Sequence, residues 1–300
     1  MEIRNLKTFL KVSSLKNFTA AAKELGYSQA NVSAQIKQLE QELGAPLFNR
    51  IGRRVTVTQY AEELIPYAMD IVSKAMEMES LMKTGESLGG TVRIGMVESL
   101  FHTVGEAAIL AFHKACPNVF LDIVVDGTAV LKERLQQDTL DMACLIDDPL
   151  PLQQWQIPCT REAAIVVVAR PSHPAAARGS MSLADLACLE LITMEPSAPY
   201  TVRFMATMAQ ARIDVKPFLV MQSADTASHM AQTEDFAAIL PYYTVAGAVS
   251  DGRLKILDVD GFSLCQDVQV ILHRDKVFVP QLKAFADIFA EKLSGLRMKP

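Results

Sequence analysis

Residues 28–44 read SQANVSAQIKQLEQELG. Val32, Ile36, Leu39 and Leu43 recur at helical spacing and lie along one side of a wheel. The opposite side carries Ala30, Ser33, Ala34, Lys37 and Gln41, which are small, neutral or basic, with no acid among them. Ser28 is a good N-cap for such a helix, because its hydroxyl accepts from an amide of the first turn that has no partner inside the helix. The apolar side packs inward. The slim, acid-free side is left for something outside the fold.

The neighbouring segments say what that is. NFTAAAKELG, residues 17–26, predicts another helix, with Thr19 as N-cap and Gly26 as its stop. Only Tyr27 separates Gly26 from Ser28, and the alanines at 20–22 let the two helices cross closely, the signature of a helix-turn-helix. An earlier helix over 5–14 offers Leu6, Phe9, Leu10 and Val12 to the core. LFNRIGRRVTVT, residues 47–58, alternates around Gly52 as a hairpin with Arg50, Arg53 and Arg54 near its tip. Residues 1–58 therefore read as a winged helix-turn-helix, whose second helix enters the DNA major groove with its N-terminal part. Gln29 suits adenine edges, Ser33 several bases, Ala30 and Ala34 thymine methyls, and Lys37 phosphate. The wing arginines suit phosphate or a narrow minor groove. The expected DNA-binding set is Ser28, Gln29, Ala30, Ser33, Ala34, Lys37, Arg50, Arg53 and Arg54.

Charge agrees. Residues 1–60 hold nine bases against four acids, +5, while the whole chain is −5, so the other 240 residues carry −10. A basic head on an acidic body points to a polyanion at the head only. The longest apolar run, AAIVVVA at 163–169, is too short to span a membrane and reads as a buried strand. MEIRNLKTFL has no apolar signal core, so a cytoplasmic protein without a membrane partner is expected. Cys116, Cys144, Cys159, Cys188 and Cys265 form no CxxC and the five histidines no HExxH, so no metal site is expected. Buried thiols are the simple reading, with oxidant sensing through cysteine as an alternative.

From Gln59 to 86 a long helix is expected. Tyr60, Leu64, Tyr67, Ile71, Ala75, Met78 and Met82 form an apolar seam suited to dimerisation, with packing on its own domain as the other reading, and Pro66 near its start. GESLGG, residues 85–90, matches G-x-S-x-G, but a nucleophile elbow follows a strand and precedes a helix, and here the order is reversed. Ser87 is linker, and 87–90 a hinge. From Thr91, the strand-like segments TVRIGM, VFLDIVV, DMACLI, AAIVVVA, LELIT, FLVMQ, FAAIL and VQVIL alternate with helical patterns, which predicts parallel sheets covered by helices in two lobes. No nucleophile with its base, and no metal-ligand spacing, supports an enzyme; Glu98, His102 and Asp147 are the titratable groups that could converge. An enzyme or solute-binding protein on the same body is the rival class, and the basic head speaks against it.

FTAAAKEL, SQANVSAQIKQLE, LGAPLFNR and RRVTVT resemble the N-terminal pattern of the LysR-type transcriptional regulators, over residues 1 to about 65 almost without a gap. The resemblance implies a periplasmic-binding-protein-like effector domain over 91–300, with chain crossings near 160–163 and 264–267. Lobe I would take about 91–161 and 267–300, and lobe II about 162–266. It implies a small-molecule effector of unknown identity between the lobes with no other cofactor, a tetramer built as a dimer of dimers, and RNA polymerase as a further partner. The cleft would be lined by Val97, Glu98, Ser99 and Leu100, by Thr128, Ile146 and Ser223, and by PSAPYTV around Thr201. Hydroxyls and amides at helix starts favour anions there. The chain departs from the pattern twice. Ala30 and Ala34 smooth the reading face. Thr233, Glu234 and Asp235 stand where relatives have glycines and, with Glu98, place acids near the cleft, which disfavours a densely charged anion.

Overall fold

A computed structural model describes residues 1–51, 54–80 and 88–300. It divides into two units, Met1–Leu88 with Asp275–Lys283, and Gly89–Arg274 with Ala284–Pro300.

The first unit begins with α1 (Ile3–Leu15), α2 (Phe18–Leu25) and α3 (Gln29–Leu43). The hairpin strands β1 (Phe48–Ile51) and β2 (Arg54–Val57) and the long helix α4 (Gln59–Ser80) follow. Leu6, Phe9 and Val12 of α1, Phe18 and Ala21 of α2, and Val32, Ile36 and Leu39 of α3 share one core. Phe48 closes it, with its ring 5.8 Å from Phe9 and 5.5 Å from Phe18. Gly26 and Gly44 end α2 and α3 at φ +69° and +74°, a conformation that glycine adopts without steric cost. The cap of α2 is Asn17, not the expected Thr19. Phe18 is the first helical residue and is buried, which leaves the cap to the residue before it, and the Asn17 side chain accepts from the Thr19 and Ala20 amides at 2.9 and 3.0 Å. Glu40 is committed inside the fold, where its Oε1 accepts from the Leu47 amide at 2.8 Å and anchors the hairpin.

In α4 the two readings divide the helix between them. Ala61, Ile65, Ala68 and Val72 bury on the head core, joined by Leu64 of the expected seam, and Ala75 is also buried. Tyr60, Tyr67, Ile71 and Met78 stay exposed. Met82, Ser87 and the proposed hinge up to 87 lie outside the described residues.

The second unit opens with β3 (Gly90–Met96), α5 (Glu98–Leu100), a π-helical turn Phe101–Gly105, and α6 (Glu106–Ala115). It continues through β4 (Val119–Val125), α7 (Thr128–Gln136), β5 (Met142–Asp147) and the long β6 (Trp155–Ala169). Then come β7 (Met181–Ser182), α8 (Leu183–Ala187), β8 (Leu191–Met194), α9 (Pro199–Gln210), β9 (Leu219–Met221) and α10 (Ala224–Thr233). The last elements are β10 (Ala237–Pro241), α11 (Tyr242–Ser250), β11 (Lys255–Ile256), β12 (Val259–Asp260), β13 (Leu264–His273) and α12 (Pro280–Ser294).

The main sheet runs β4-β3-β5-β13-β6-β10-β8-β9, with β11 also on β6. Its two ends are parallel, as expected from the strand–helix alternation. Its middle is not: β13 is antiparallel to both β5 and β6, and β10 is antiparallel to β6. β6 and β13 are the two strands that pass between a lobe built on β3, β4 and β5 and a lobe built on β8, β9 and β10. β6 is also twice as long as its apolar run, because residues 155–162 largely alternate between covered and open positions and only 163–169 is nearly continuously buried. Phe112 of α6 meets Phe285 of α12 edge to face at 5.5 Å, and Phe289 stacks beyond it, sealing the first lobe.

Candidate functional sites: an open helix face and an inter-lobe cavity

The first site is the start of α3. Ser28 Oγ accepts from the Asn31 amide at 3.2 Å, and no acid occupies the first turn. Gln29, Ala30, Ala34, Lys37 and Gln41 are exposed and Ser33 is half-buried, so the acid-free side stands clear of the core. The face is fixed from behind by Gln35, a residue the hydrophobic pattern does not single out. Its Oε1 accepts from Thr8 Oγ1 at 2.6 Å, tying α3 to α1, and its Nε2 donates to Asn31 Oδ1 at 3.1 Å. Arg50 and Arg54 sit on the hairpin strands, in register with Val55 and Ile51. Arg53 lies outside the described residues.

The second site is a cavity of about 430 Å³ between the lobes. Its walls come from segments that follow the C-terminal ends of parallel strands, where open α/β sheets leave room for ligands. Val97, Glu98 and Ser99 follow β3, and Asp126, Gly127 and Thr128 follow β4. From the other lobe, Glu195, Ser197, Ala198, Pro199 and Tyr200 follow β8, and Gln222, Ser223 and Ala224 follow β9. The expected Glu98, Ser99, Thr128, Ile146 and Ser223 are thus together on one cavity. Leu100 is not on the wall: it is fully buried, because the next helical position turns into the core. Thr201 is also turned away, with its Oγ1 donating to the Met194 carbonyl at 3.3 Å, and Tyr200 stands on the wall instead. Asp126 and Glu195 were missed from sequence, while Tyr200 belongs to the PSAPYTV stretch expected on the wall. The usable signal was position, since each follows within a few residues of a strand end.

Glu98 bridges the lobes. Its Oε1 accepts from Ser223 Oγ at 2.8 Å and its Oε2 from the Ala224 amide at 3.1 Å, at the start of α10. Ser99 Oγ shares a 2.9 Å hydrogen bond with the Tyr243 hydroxyl of α11. The π-helical turn that follows presents both residues: Thr103 Oγ1 donates to the Ser99 carbonyl at 2.6 Å, and a Cβ on Gly105 would come 2.9 Å from Met96 Sδ. Burial pushes the Tyr243 and Tyr200 hydroxyls up from their ordinary pKa, against a lowering by Ser99 at Tyr243 and reinforced at Tyr200 by Tyr243, Glu195 and Glu98. Both phenols therefore remain protonated donors.

The remaining acids do not assemble as expected. Asp235 pairs with Arg170 at 2.9 Å, and Arg170 also donates to the Thr233 carbonyl, so the 233–235 stretch is off the cavity wall. Asp147 pairs with Lys132 at 2.6 Å, while His102 lies 3.8 Å from Glu98 and 3.5 Å from Glu106. Of Glu98, His102 and Asp147, Glu98 alone is on the cavity wall among the described residues. No cluster of potential metal ligands occurs among the described residues.

Cys116 and Cys144 are buried and Cys159 and Cys265 half-buried, whereas Cys188, against the expectation of buried thiols, is exposed. Cys144 and Cys159 flank Val270 on opposite neighbouring strands. Two strand spacings, about 9.5 Å, separate them, beyond the reach of a disulfide without backbone movement. Burial raises the thiol pKa of Cys116, Cys144, Cys159 and Cys265, which lowers their thiolate fraction.

A helix-turn-helix with an open reading face, joined in one chain to a two-lobed α/β body with an inter-lobe cavity, defines a one-component transcriptional regulator. Residues 3–62 match the family model "Bacterial regulatory helix-turn-helix protein, lysR family", and residues 85–294 match "LysR substrate binding domain". The chain belongs to the LysR family of transcriptional regulators. It is 30% identical over 292 residues to the uncharacterized HTH-type transcriptional regulator YwqM of Bacillus subtilis, covering 96% of this chain and 98% of that one. It is 24% identical over 300 residues to a RuBisCO operon transcriptional regulator of Allochromatium vinosum, covering 100% and 99%. Among solved structures, a full-length OxyR variant from Pseudomonas aeruginosa aligns over 100% of this chain and 99% of its own with TM-score 0.58 and 18% identity. Full-length BenM aligns over 100% of both chains with TM-score 0.54 and 22% identity. These two likenesses are likenesses of fold. No helix among the described residues is long and apolar enough to cross a membrane.

Proposed function

We propose that this regulator reads operator DNA through the open face of α3 and that a small effector in the inter-lobe cavity sets the geometry of the bound DNA. Ser28, Gln29, Ala30, Ser33 and Ala34 face base edges, while Lys37 and the wing residues Arg50, Arg53 and Arg54 hold phosphates. The exposed Tyr60, Tyr67, Ile71 and Met78 pair α4 with a second copy, which sets two reading helices on successive major grooves. Two such dimers make the tetramer, working in the cytoplasm, with RNA polymerase as the further partner on DNA. The domain divisions follow the sequence reading: 1–58 for DNA, 59–86 for pairing, 87–90 as hinge and 91–300 for the effector. Catalysis has no part in this reading.

The observation that carries the proposal is the cavity itself, walled by both lobes and bridged by Glu98 and Ser99. A ligand seated there changes the angle between the lobes, and so the spacing of the paired heads. Effector and DNA are then coupled reciprocally, on the order of 1–3 kcal/mol. The test is DNA binding by the full chain, measured on operator and random duplexes. Arg53→Ala weakens both equally and flattens the salt dependence, whereas Gln29→Ala narrows the difference between them. Equal losses on both duplexes for both variants would remove the assigned division of roles.

A further inference from the structure

The charge on the cavity wall identifies the class of ligand. Among the described residues three carboxylates line it, Glu98, Asp126 and Glu195, and no lysine, arginine or histidine does. Two helix starts where an anion would normally sit are already covered by acids of the chain. At α10, Glu98 accepts from Ser223 and the Ala224 amide, reaching from the opposite lobe. At α7, Asp126 Oδ1 accepts from the Gly127 amide at 2.8 Å, and Glu195 reaches back from the other lobe until its Oε1 would lie 3.4 Å from a Cβ on Gly127. Each lobe thus extends a carboxylate toward a helix start of the other. A ligand carboxylate at either start would displace a residue of the protein and then face the remaining acids.

Polar capacity remains, and it suits a donor-rich ligand. Tyr200 lines the cavity, is 5% exposed, and its hydroxyl makes no hydrogen bond among the described residues. Its oxygen lone pairs are available to an N–H of a bound molecule. Asp126 is exposed and Glu195 half-buried, so neither carboxylate is sealed from a ligand entering the cleft. Val97, Ile146 and Met194 supply apolar wall for a short methylene chain. A further helix start, that of α9, begins with Pro199, which has no amide hydrogen, so its capacity for an anion is reduced.

We propose that the effector is a small organic cation, bearing a protonated amine or guanidinium that is held by Glu195 and Asp126 and donates to Tyr200. The proposal rests on the reading of the cavity as the effector site, and adds the charge of what enters. Amino acids and simple diamines share this head group. A difference between them reports whether the start of α9 also accepts a carboxylate.

The experiment is a thermal-shift and calorimetric titration of the full chain. Putrescine, agmatine, lysine and arginine form one set, and succinate, glutarate and benzoate the other. The expected result is stabilisation by at least one cation and none by the anions, because a ligand specific for the folded state raises the melting temperature. Glu195→Gln and Asp126→Asn each weaken the cation about tenfold or more, the loss expected of a charge-assisted hydrogen bond. Glu234→Gln, off the cavity wall, leaves binding unchanged. Raised salt weakens the wild-type interaction and changes that of the Glu195→Gln variant less. Stabilisation by anions alone, or by no compound in either set up to millimolar concentration, overturns the cationic assignment. Cation binding that Glu195→Gln, Asp126→Asn and Tyr200→Phe all leave intact overturns the assignment of the effector to this cavity.

Discussion

Two helix starts in this molecule use the same local device to opposite ends. At α3, Ser28 caps the helix, no acid occupies the first turn, and the residues beside it are neutral and exposed. At α10, Ser223 caps in the same manner, but Asp225 lies in the first turn and Glu98 arrives from the other lobe to take the Ala224 amide. A helix start carries partial positive charge and unpaired amides, and so attracts anions. In the head that attraction is left open, and the proposed reading gives it to DNA. In the cleft the protein satisfies it internally, and the interaction becomes a tie between lobes. A serine cap alone therefore does not mark an anion site. What matters is whether an acid distant in sequence comes to meet it.

Placing an acid on the open face breaks this comparison most severely. Ala34→Glu sets a carboxylate on the face proposed to meet base edges, inside the field of the DNA polyanion, at several kcal/mol, so the affinity for every duplex falls about a hundredfold or more. Fluorescence anisotropy on operator and random DNA measures it, and an unchanged affinity would place DNA elsewhere. The reverse change empties the closed start. Glu98→Gln weakens bonds to Ser223 and Ala224 worth roughly 1.5–3 kcal/mol, with the lower end expected because the side chain is 22% exposed. Sulfate should then raise the melting temperature of the variant and not of the parent. No sulfate effect in the variant would mean that Glu98 is not what excludes anions.

Smaller effects sharpen the account of the head. Asn17→Ala lowers stability by about 1 kcal/mol, whereas Thr19→Ala stays within about 0.5 kcal/mol, as read by urea denaturation. The reverse order would restore Thr19 as the cap. The smallest effect belongs to a third arrangement, at α8, where the acid is local: Asp185 accepts from the Ser182 amide and hydroxyl, while Ser182 caps in return. Those bonds hold the Asp185 carboxyl below its ordinary pKa. Its contribution is therefore complete above the usual aspartate pKa and fades as pH falls through the lowered value. In acid titration, Asp185→Asn should flatten that part of the stability curve, and an unchanged curve would remove the capping role.

The head was almost fully legible because its contacts are local. Val32, Ile36 and Leu39 appear as one apolar face at 3.6 periodicity, and Gly26 and Gly44 stop the helices that precede them. The one misplaced cap followed from Phe18, whose burial sets where α2 begins. Gln35 escaped notice because polarity hides a buried residue, and its partner Thr8 lies 27 positions earlier. In the second unit eight strands were legible as apolar runs, but not the first half of β6, where exposure alternates, the start of β13, or the two-residue strands β7, β11 and β12. Their directions were not, since β6 and β13 pair antiparallel in the middle of a sheet whose ends are parallel.

The sequence by itself determined the class of this protein: a basic winged helix-turn-helix, an exposed acid-free reading face, a long helix and a strand–helix body. Periodicity, capping and charge act over a few residues, and a sequence displays them directly. Only the tertiary structure decided the character of the cleft. It moved Asp235 onto Arg170, turned Leu100 and Thr201 away, and brought Glu98, Asp126 and Glu195 to one cavity. Electrostatics at a site depends on distances across the fold, and strand pairing between segments over 100 residues apart sets those distances.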